Sequence, residues 1–345
     1  MLKGIKKFFR TIWDFVIEEY KFILFLAVFY IVCTWPVNYY IIVGGGISDV
    51  SERVAVEDGY DSEGSFNLSY VSELKGTTLS YLLSYVIPTW EKESMDDYKY
   101  SESEDYYDIL FRGDIDLKTT NNNAVKVAFD LAGKEYKEVS SKIYVIAVFD
   151  EYKTNFLIQD ELLSIDGKAF ATTEEYSQYV QQFEAGDILD VLVLRDGKKK
   201  TIKCKLYDDD GRKIFGVALQ VAKEYETKPK VNISFKSSES GPSGGLMTTL
   251  EIYNRLVEDD ITRGLSIAGT GSVDGDGNVG IIGGVRYKVI GAAAGGAKIF
   301  FVPEGENYKE AIKVKKEKKL DIKIVEVSTV KEAIEYLENL KADND

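Results

Sequence analysis

GPSGGLMTTLEIYNRL, residues 241–256, sets a serine among glycines at the head of an amphipathic run. Leu246, Leu250, Tyr253 and Leu256 recur at helical spacing, which predicts a helix over 245–256. Ser243 then stands at a helix N-terminus, where the first backbone N–H groups lack intrahelical acceptors and carry partial positive charge. The motif alone leaves two readings open. Gly-Pro-Ser-Gly makes a good turn and N-cap. It is also what an alkoxide or a tetrahedral oxyanion requires, with backbone N–H donors at Gly244 and Gly245.

The flanking sequence is α/β in pattern. VNISF before the serine reads as a strand, LSIAGTGSVDGDGNVGIIGG after it as a β-hairpin, and GVRYKVIGAAAGGA as a short helix. KIFFVP is a buried strand, ENYKEAIKVKKEK a helix, DIKIVEV a strand and STVKEAIEYLENL a helix opened by Thr329 and Glu332 as a capping box. The chain contains no histidine, which excludes Ser-His-Asp and Cys-His catalysis and most zinc-hydrolase sites. Acid–base work falls to carboxylates, lysine, tyrosine or water. Lys288, in GGVRYK and among small residues, is a candidate: a desolvated amine can act as base for a serine. Most lysines are surface groups, so residue type alone leaves this open. DGDGNVG (274–280) opens like a calcium-binding loop, but Val279 and Val285 stand where the turn glycine and the bidentate glutamate belong. It reads as a hairpin turn, and no metal is expected.

Upstream, IYVIAV (143–148), ELLSIDGKAF (161–170), DILDVLVLRDG (187–197) and KTIKCKLY (200–207) are strand or strand-turn units. Asp196-Gly197 predicts a tight hairpin turn. TTEEYSQYVQQF (172–183) is a helix with Thr172 and Glu175 spaced as a capping box. Residues 121–136 read as a helix, GSFNLSYV (64–71) as a strand, 81–85 as part of a short helix, and 93–108 as a charged loop.

No charged residue occurs from Phe22 to Ser48, and the apolar run predicts a transmembrane helix over 22–43. Trp35, Tyr39 and Tyr40 would be its interfacial anchors. Lys3, Lys6, Lys7, Arg10 and Lys21 precede the run and the next base is Arg53, so the N-terminus is expected in the cytoplasm and the remainder outside. Residues 2–20 suit an amphipathic helix on the inner leaflet. A formal charge of -14 argues against a nucleic-acid partner. Cys33 falls in the apolar run, so no disulfide to Cys204 is expected.

Two resemblances organise these readings. Residues 122–215 resemble a PDZ domain in order of elements, although Gln159-Asp160 replaces the usual Gly-Asp and no glycine-rich carboxylate loop is evident. GPSGGL, IAGTGSVDGDGNVG, GGVRYK and GAKIFFVP, over 228–345, resemble the proteolytic domain of Lon-type serine proteases. That resemblance implies Ser243 as nucleophile, Lys288 as general base and Thr270 as the group that orients the lysine. It departs at Ser240, where ATP-driven members carry an acidic residue. No GxxxxGK[ST] nucleotide loop occurs in the chain. The whole resembles the membrane-anchored PDZ–Lon peptidases of Gram-positive bacteria. The order implied is a cytoplasmic basic segment (1–21), a transmembrane helix (22–43), an exported region (44–121), a β-rich PDZ-like domain (122–215) and an α/β, or α+β, Lon-type domain (228–345). The implied activity is an ATP-independent serine endopeptidase with no cofactor, acting on exported peptides or membrane-protein segments outside the cytoplasm. A homo-oligomer is left open, and the competing reading is a non-catalytic scaffold.

Overall fold

The computed structural model describes residues 13–236, 239 and 241–340. Its N-terminal part runs α1 (Tyr20–Thr34), β1 (Pro36–Asp49), β2 (Val54–Val56), β3 (Ser65–Thr77), α2 (Thr78–Leu83) and β4 (Glu91–Ser94). The chain clusters into two compact units, Met1–Gly44 with Ser72–Asp97, and Gly45–Val71 with Tyr98–Asp345.

In the first unit, α1 buries none of its residues. The helix expected over 22–43 is not continuous. The helix stops at Thr34 because Pro36 has no N–H to continue it and turns Trp35 to φ -59, ψ 124. From Pro36 the β-prone sequence VNYYIIV is extended, and Tyr39–Ile42 pair antiparallel with β4. Tyr39 and Tyr40, expected as interfacial anchors, are therefore strand residues. No helix among the described residues is long and apolar enough to cross a membrane. Residues 13–18 are helical, and the earlier part of the expected amphipathic helix lies outside the described residues.

The second unit continues with α3 (Tyr106–Leu131), β5 (Tyr136–Val148), β6 (Glu161–Ile165), α4 (Thr173–Val180), β7 (Ile188–Arg195), β8 (Lys198–Lys205), β9 (Tyr207–Asp209), β10 (Arg212–Ile214) and β11 (Val217–Thr227). Strands β11-β5-β6-β7-β8 form one antiparallel sheet around Val145, Phe156, Ile165, Val191 and Phe215. The β7–β8 turn is the expected one: Arg195 faces Lys198, with Asp196 at φ 51 and Gly197 at φ 71. Thr172 caps α4 by accepting from the Glu175 N–H at 3.2 Å, while Glu175 returns to the Ala171 N–H.

The C-terminal part follows as β12 (Val231–Ile233), α5 (Gly245–Leu256), β13 (Ser266–Gly269), β14 (Ser272–Val273), β15 (Val279–Gly280), α6 (Val285–Ala294), β16 (Ile299–Pro303), α7 (Glu306–Lys318), β17 (Lys323–Val327) and α8 (Val330–Glu338). Its sheet has the order β17-β16-β13-β3-β1. The expected single hairpin divides into two parts. β13 is a central strand parallel to β16 and β3, and only β14 and β15 form a hairpin. GSFNLSYV is thus a strand of this sheet, Phe66 lying opposite Ile267, and β2 pairs with β12.

α3 begins well before the expected helix. Asp105 accepts from the Tyr107 and Asp108 N–H groups, and Asp108 accepts from the Asp105 N–H, a reciprocal cap inside the expected charged loop. The C-terminal half of α3 buries Ala124, Val125, Val127, Ala128 and Phe129 in the same core as Leu246, Met247 and Leu250 of α5. Residues 122–131 therefore contribute to the C-terminal core as well as leading into the antiparallel sheet. On the other side of the C-terminal sheet, α6 lies so close to β1 that a Cβ on Gly291 would sit 2.5 Å from the Gly46 nitrogen. Only glycine permits that approach.

Candidate active site

Ser243 lies in a single 3-10 turn, Pro242–Gly244, entered through Gly241 at φ 100 and leading directly into α5. Its side chain is half-buried. The turn is fixed by its own backbone. The Gly271 N–H donates to the Ser243 carbonyl at 2.9 Å, and the Leu246 N–H donates to the Gly271 carbonyl at 3.0 Å. The loop after β13 and the nucleophile turn thereby hold each other at two points. Gly245 has no room for a side chain: a Cβ there would lie 2.7 Å from Thr120 Cγ2 and 2.8 Å from the Val273 nitrogen.

Thr270 is fully buried at the end of β13, its N–H donating to the Phe301 carbonyl at 3.0 Å. Its hydroxyl donates to the Ser243 carbonyl at 3.2 Å and accepts from Lys288 Nζ at 3.2 Å. Lys288 is 3% exposed, one turn into α6, whose buried face of Val285, Val289 and Ala292 packs into a cluster with Ala311 and Val314 of α7. The amine is held away from bulk water. The structure thus brings Ser243, Thr270 and Lys288 into one hydrogen-bonded chain. That chain runs through the serine's backbone carbonyl.

The expected oxyanion donors sit at the same turn, but they are not equivalent. The Gly245 N–H donates to the Pro242 carbonyl and closes the 3-10 turn. The approach to α6 is also braced. Asn307, in the first turn of α7, accepts from the Ile282 N–H and donates to the Ile282 carbonyl, both at 2.9 Å. Asp274, first residue of the calcium-like motif, spends its carboxylate on the Asp276 and Asn278 N–H groups and on Asn278 Nδ2. Among the described residues no cluster of histidine, cysteine, aspartate or glutamate is arranged to hold a metal. Ser240 lies outside the described residues. Sequence reading did not single out Thr120 and Asn123 of α3. The first packs on Gly245, and the second donates to the Val273 carbonyl at 3.0 Å. Their partners lie more than a hundred residues away, and no local pattern signals them.

Residues 228–339 match the Lon protease (S16) C-terminal proteolytic domain, and residues 119–206 match the PDZ domain. The Lon protease of Desulfatibacillum aliphaticivorans is 36% identical over 97 residues, 28% of this chain and 11% of its own. That of Campylobacter concisus is 29% identical over 147 residues, 42% of this chain and 18% of its own. The chain spans between 11% and 18% of the length of the curated relatives it matches. The PDZ domain of an SdrC-like protein from Listeria monocytogenes aligns at 24% identity and TM-score 0.22, covering 24% of this chain and 92% of that one. Residues 228–339 are a Lon-type proteolytic domain of the serine peptidase class, and a PDZ domain precedes it.

Proposed function

We propose that this protein is a membrane-attached serine endopeptidase that cleaves peptides or flexible protein segments with a Ser243–Lys288 dyad, outside the cytoplasm and without nucleotide. The observation that carries this reading is the buried Lys288–Thr270–Ser243 hydrogen-bonded chain at the head of α5. In the reaction, the neutral Lys288 amine takes the Ser243 hydroxyl proton as Oγ attacks the scissile carbonyl carbon. The oxyanion forms against the N-terminus of α5, with the Gly244 and Gly245 N–H groups as donors, Gly245 by leaving the Pro242 carbonyl. The C–N bond then breaks, and the leaving amine takes the proton from Lys288. Water, deprotonated in turn by the amine, hydrolyses the acyl-enzyme. Thr270 orients the amine through its hydroxyl.

Attachment to a membrane is supported by the uncharged stretch 22–48 and by α1, whose apolar side chains are exposed along its length. At 15 residues α1 reaches about 22 Å, short of a hydrocarbon core of about 30 Å, so a crossing needs a locally thinned bilayer or residues beyond its ends. Lysine and arginine placed before the apolar stretch favour the outside for the domains after it. The PDZ domain presents substrate or screens access, by strand addition to its sheet. The test is peptide cleavage by the full chain reconstituted in vesicles, against Lys288→Ala. Loss of cleavage in the folded variant supports the dyad. Cleavage at the wild-type rate overturns it.

A further inference from the structure

Helix α3 touches two partners along about 15 Å of its length, nearly three turns. On the side of the PDZ sheet, Gln220 Nε2 of β11 donates to Asp116 Oδ1 at 3.0 Å and to Thr119 Oγ1 at 3.3 Å. Lys118 pairs with Glu224 of the same strand. Asp116 is partly desolvated, so its carboxylate depends on this donor and on nearby Arg112. On the side of the proteolytic domain, the next residue, Thr120, is 5% exposed and fills the space that a Cβ on Gly245 would occupy. Asn123 Nδ2 donates to the Val273 carbonyl at 3.0 Å, and Lys126 Nζ donates to the Gly275 carbonyl at 2.8 Å. Val273 and Gly275 belong to the β14–β15 hairpin and its turn, which follow directly on Gly271, the donor to the Ser243 carbonyl.

We propose that Gln220 is a positioning residue for the nucleophile: it seats α3, and α3, through Thr120 and Asn123, sets the turn that carries Ser243. Thr120 packs its Cγ2 methyl against the bare backbone of Gly245, and its β-branched side chain is stiff at χ1, so a shift of α3 passes to Gly245. Gly245 is two residues from Ser243 and closes its turn. A displacement of the reacting oxygen by a fraction of an ångström is felt in the rate. The PDZ sheet therefore acts on the chemistry through one helix, in addition to any contact with substrate.

This inference rests on the proposed nucleophile for its kinetic arm, and a second readout makes it independent of activity. In Gln220→Ala, a half-buried site away from the reacting atoms, acylation of Ser243 by a small activated ester should slow by about threefold to thirtyfold. KM for a peptide substrate should be unchanged. Combining Gln220→Ala with Asn123→Ala should slow acylation by less than the product of the two single effects, because both act through α3. Hydrogen exchange at the Gly271 and Leu246 amides, which lock the turn, should quicken in Gln220→Ala while exchange in β16 is unchanged. Wild-type acylation together with wild-type exchange at those amides overturns the proposal. If the wild-type protein is not acylated, the peptidase reading fails. Faster exchange at the two amides would then still support the coupling, and unchanged exchange would end it.

Discussion

Thr270→Val replaces a hydroxyl by a methyl of nearly the same volume, at a site that is fully buried, and so removes hydrogen bonds without opening a cavity. Two bonds go: Lys288 Nζ to Oγ1, and Oγ1 to the Ser243 carbonyl, each 3.2 Å. The carbonyl keeps the Gly271 N–H as a donor, so its loss is at the low end, about 1 kcal/mol. Lys288 Nζ is deeply buried and loses an acceptor, at about 1–3 kcal/mol. The fold should therefore lose about 2–4 kcal/mol, visible as a lower urea midpoint with an unchanged m-value. The rate suffers differently, because the amine remains but is no longer held. An orientation loss of about 2 kcal/mol in the transition state slows acylation by roughly thirtyfold. The assay is single-turnover acylation of Ser243 by an activated ester, at a temperature where circular dichroism shows each variant folded. Thr270→Ser keeps the oxygen and should retain most of the rate. Acylation by Thr270→Val at the wild-type rate would refute the orienting role, as would an equal loss in Thr270→Ser.

Lys288→Arg should be as inactive as Lys288→Ala, since a guanidinium stays protonated and cannot accept the serine proton, and peptide hydrolysis by the folded variants checks this. Asp260 accepts hydrogen bonds from the Glu63 and Thr262 N–H groups, from Thr262 Oγ1, Ser62 Oγ and Asn254 Nδ2. Burial pushes its carboxyl up, but these donors outweigh burial and hold it below the ordinary carboxylate value. Its contribution is therefore complete above about pH 4 and is lost as pH falls through the lower folded value. Asp260→Ala should cost about 1–3 kcal/mol at pH 7, and urea titrations should show its gap to wild type closing at acid pH. Burial pushes the Cys204 thiol up to about 11, and it is 1% exposed, so maleimide should modify Cys204 only on unfolding, as read by peptide mass.

Much of the C-terminal fold was legible because its signals are local. KIFFVP, the run 306–318 and the Thr329 cap carry periodicity or capping chemistry within a few residues, and each forms the expected element. The β7–β8 turn was legible for the same reason. The pairing of β3 with β13 was not, since Phe66 and Ile267 are two hundred residues apart and parallel strands carry no connecting turn to mark them. The apolar run after Phe22 misled in its length. Hydropathy does not separate a buried strand from a continued helix, and Pro36 with the β-branched residues after it decided for the strand. At the site, Ser243, Thr270 and Lys288 were identified from family resemblance, and the structure brings them together. What sequence could not give is the path between them through the Ser243 carbonyl, or the packing of Thr120 on Gly245. Those depend on where distant backbone comes to rest.

The most direct test of the account is the site of covalent capture. The full chain is treated with a phosphonylating probe and digested, and the modified peptide is identified by mass. The account predicts a single adduct on Ser243, absent in Ser243→Ala and strongly reduced in Lys288→Ala. Labelling of a different residue, or peptide cleavage by folded Ser243→Ala at the wild-type rate, would contradict it.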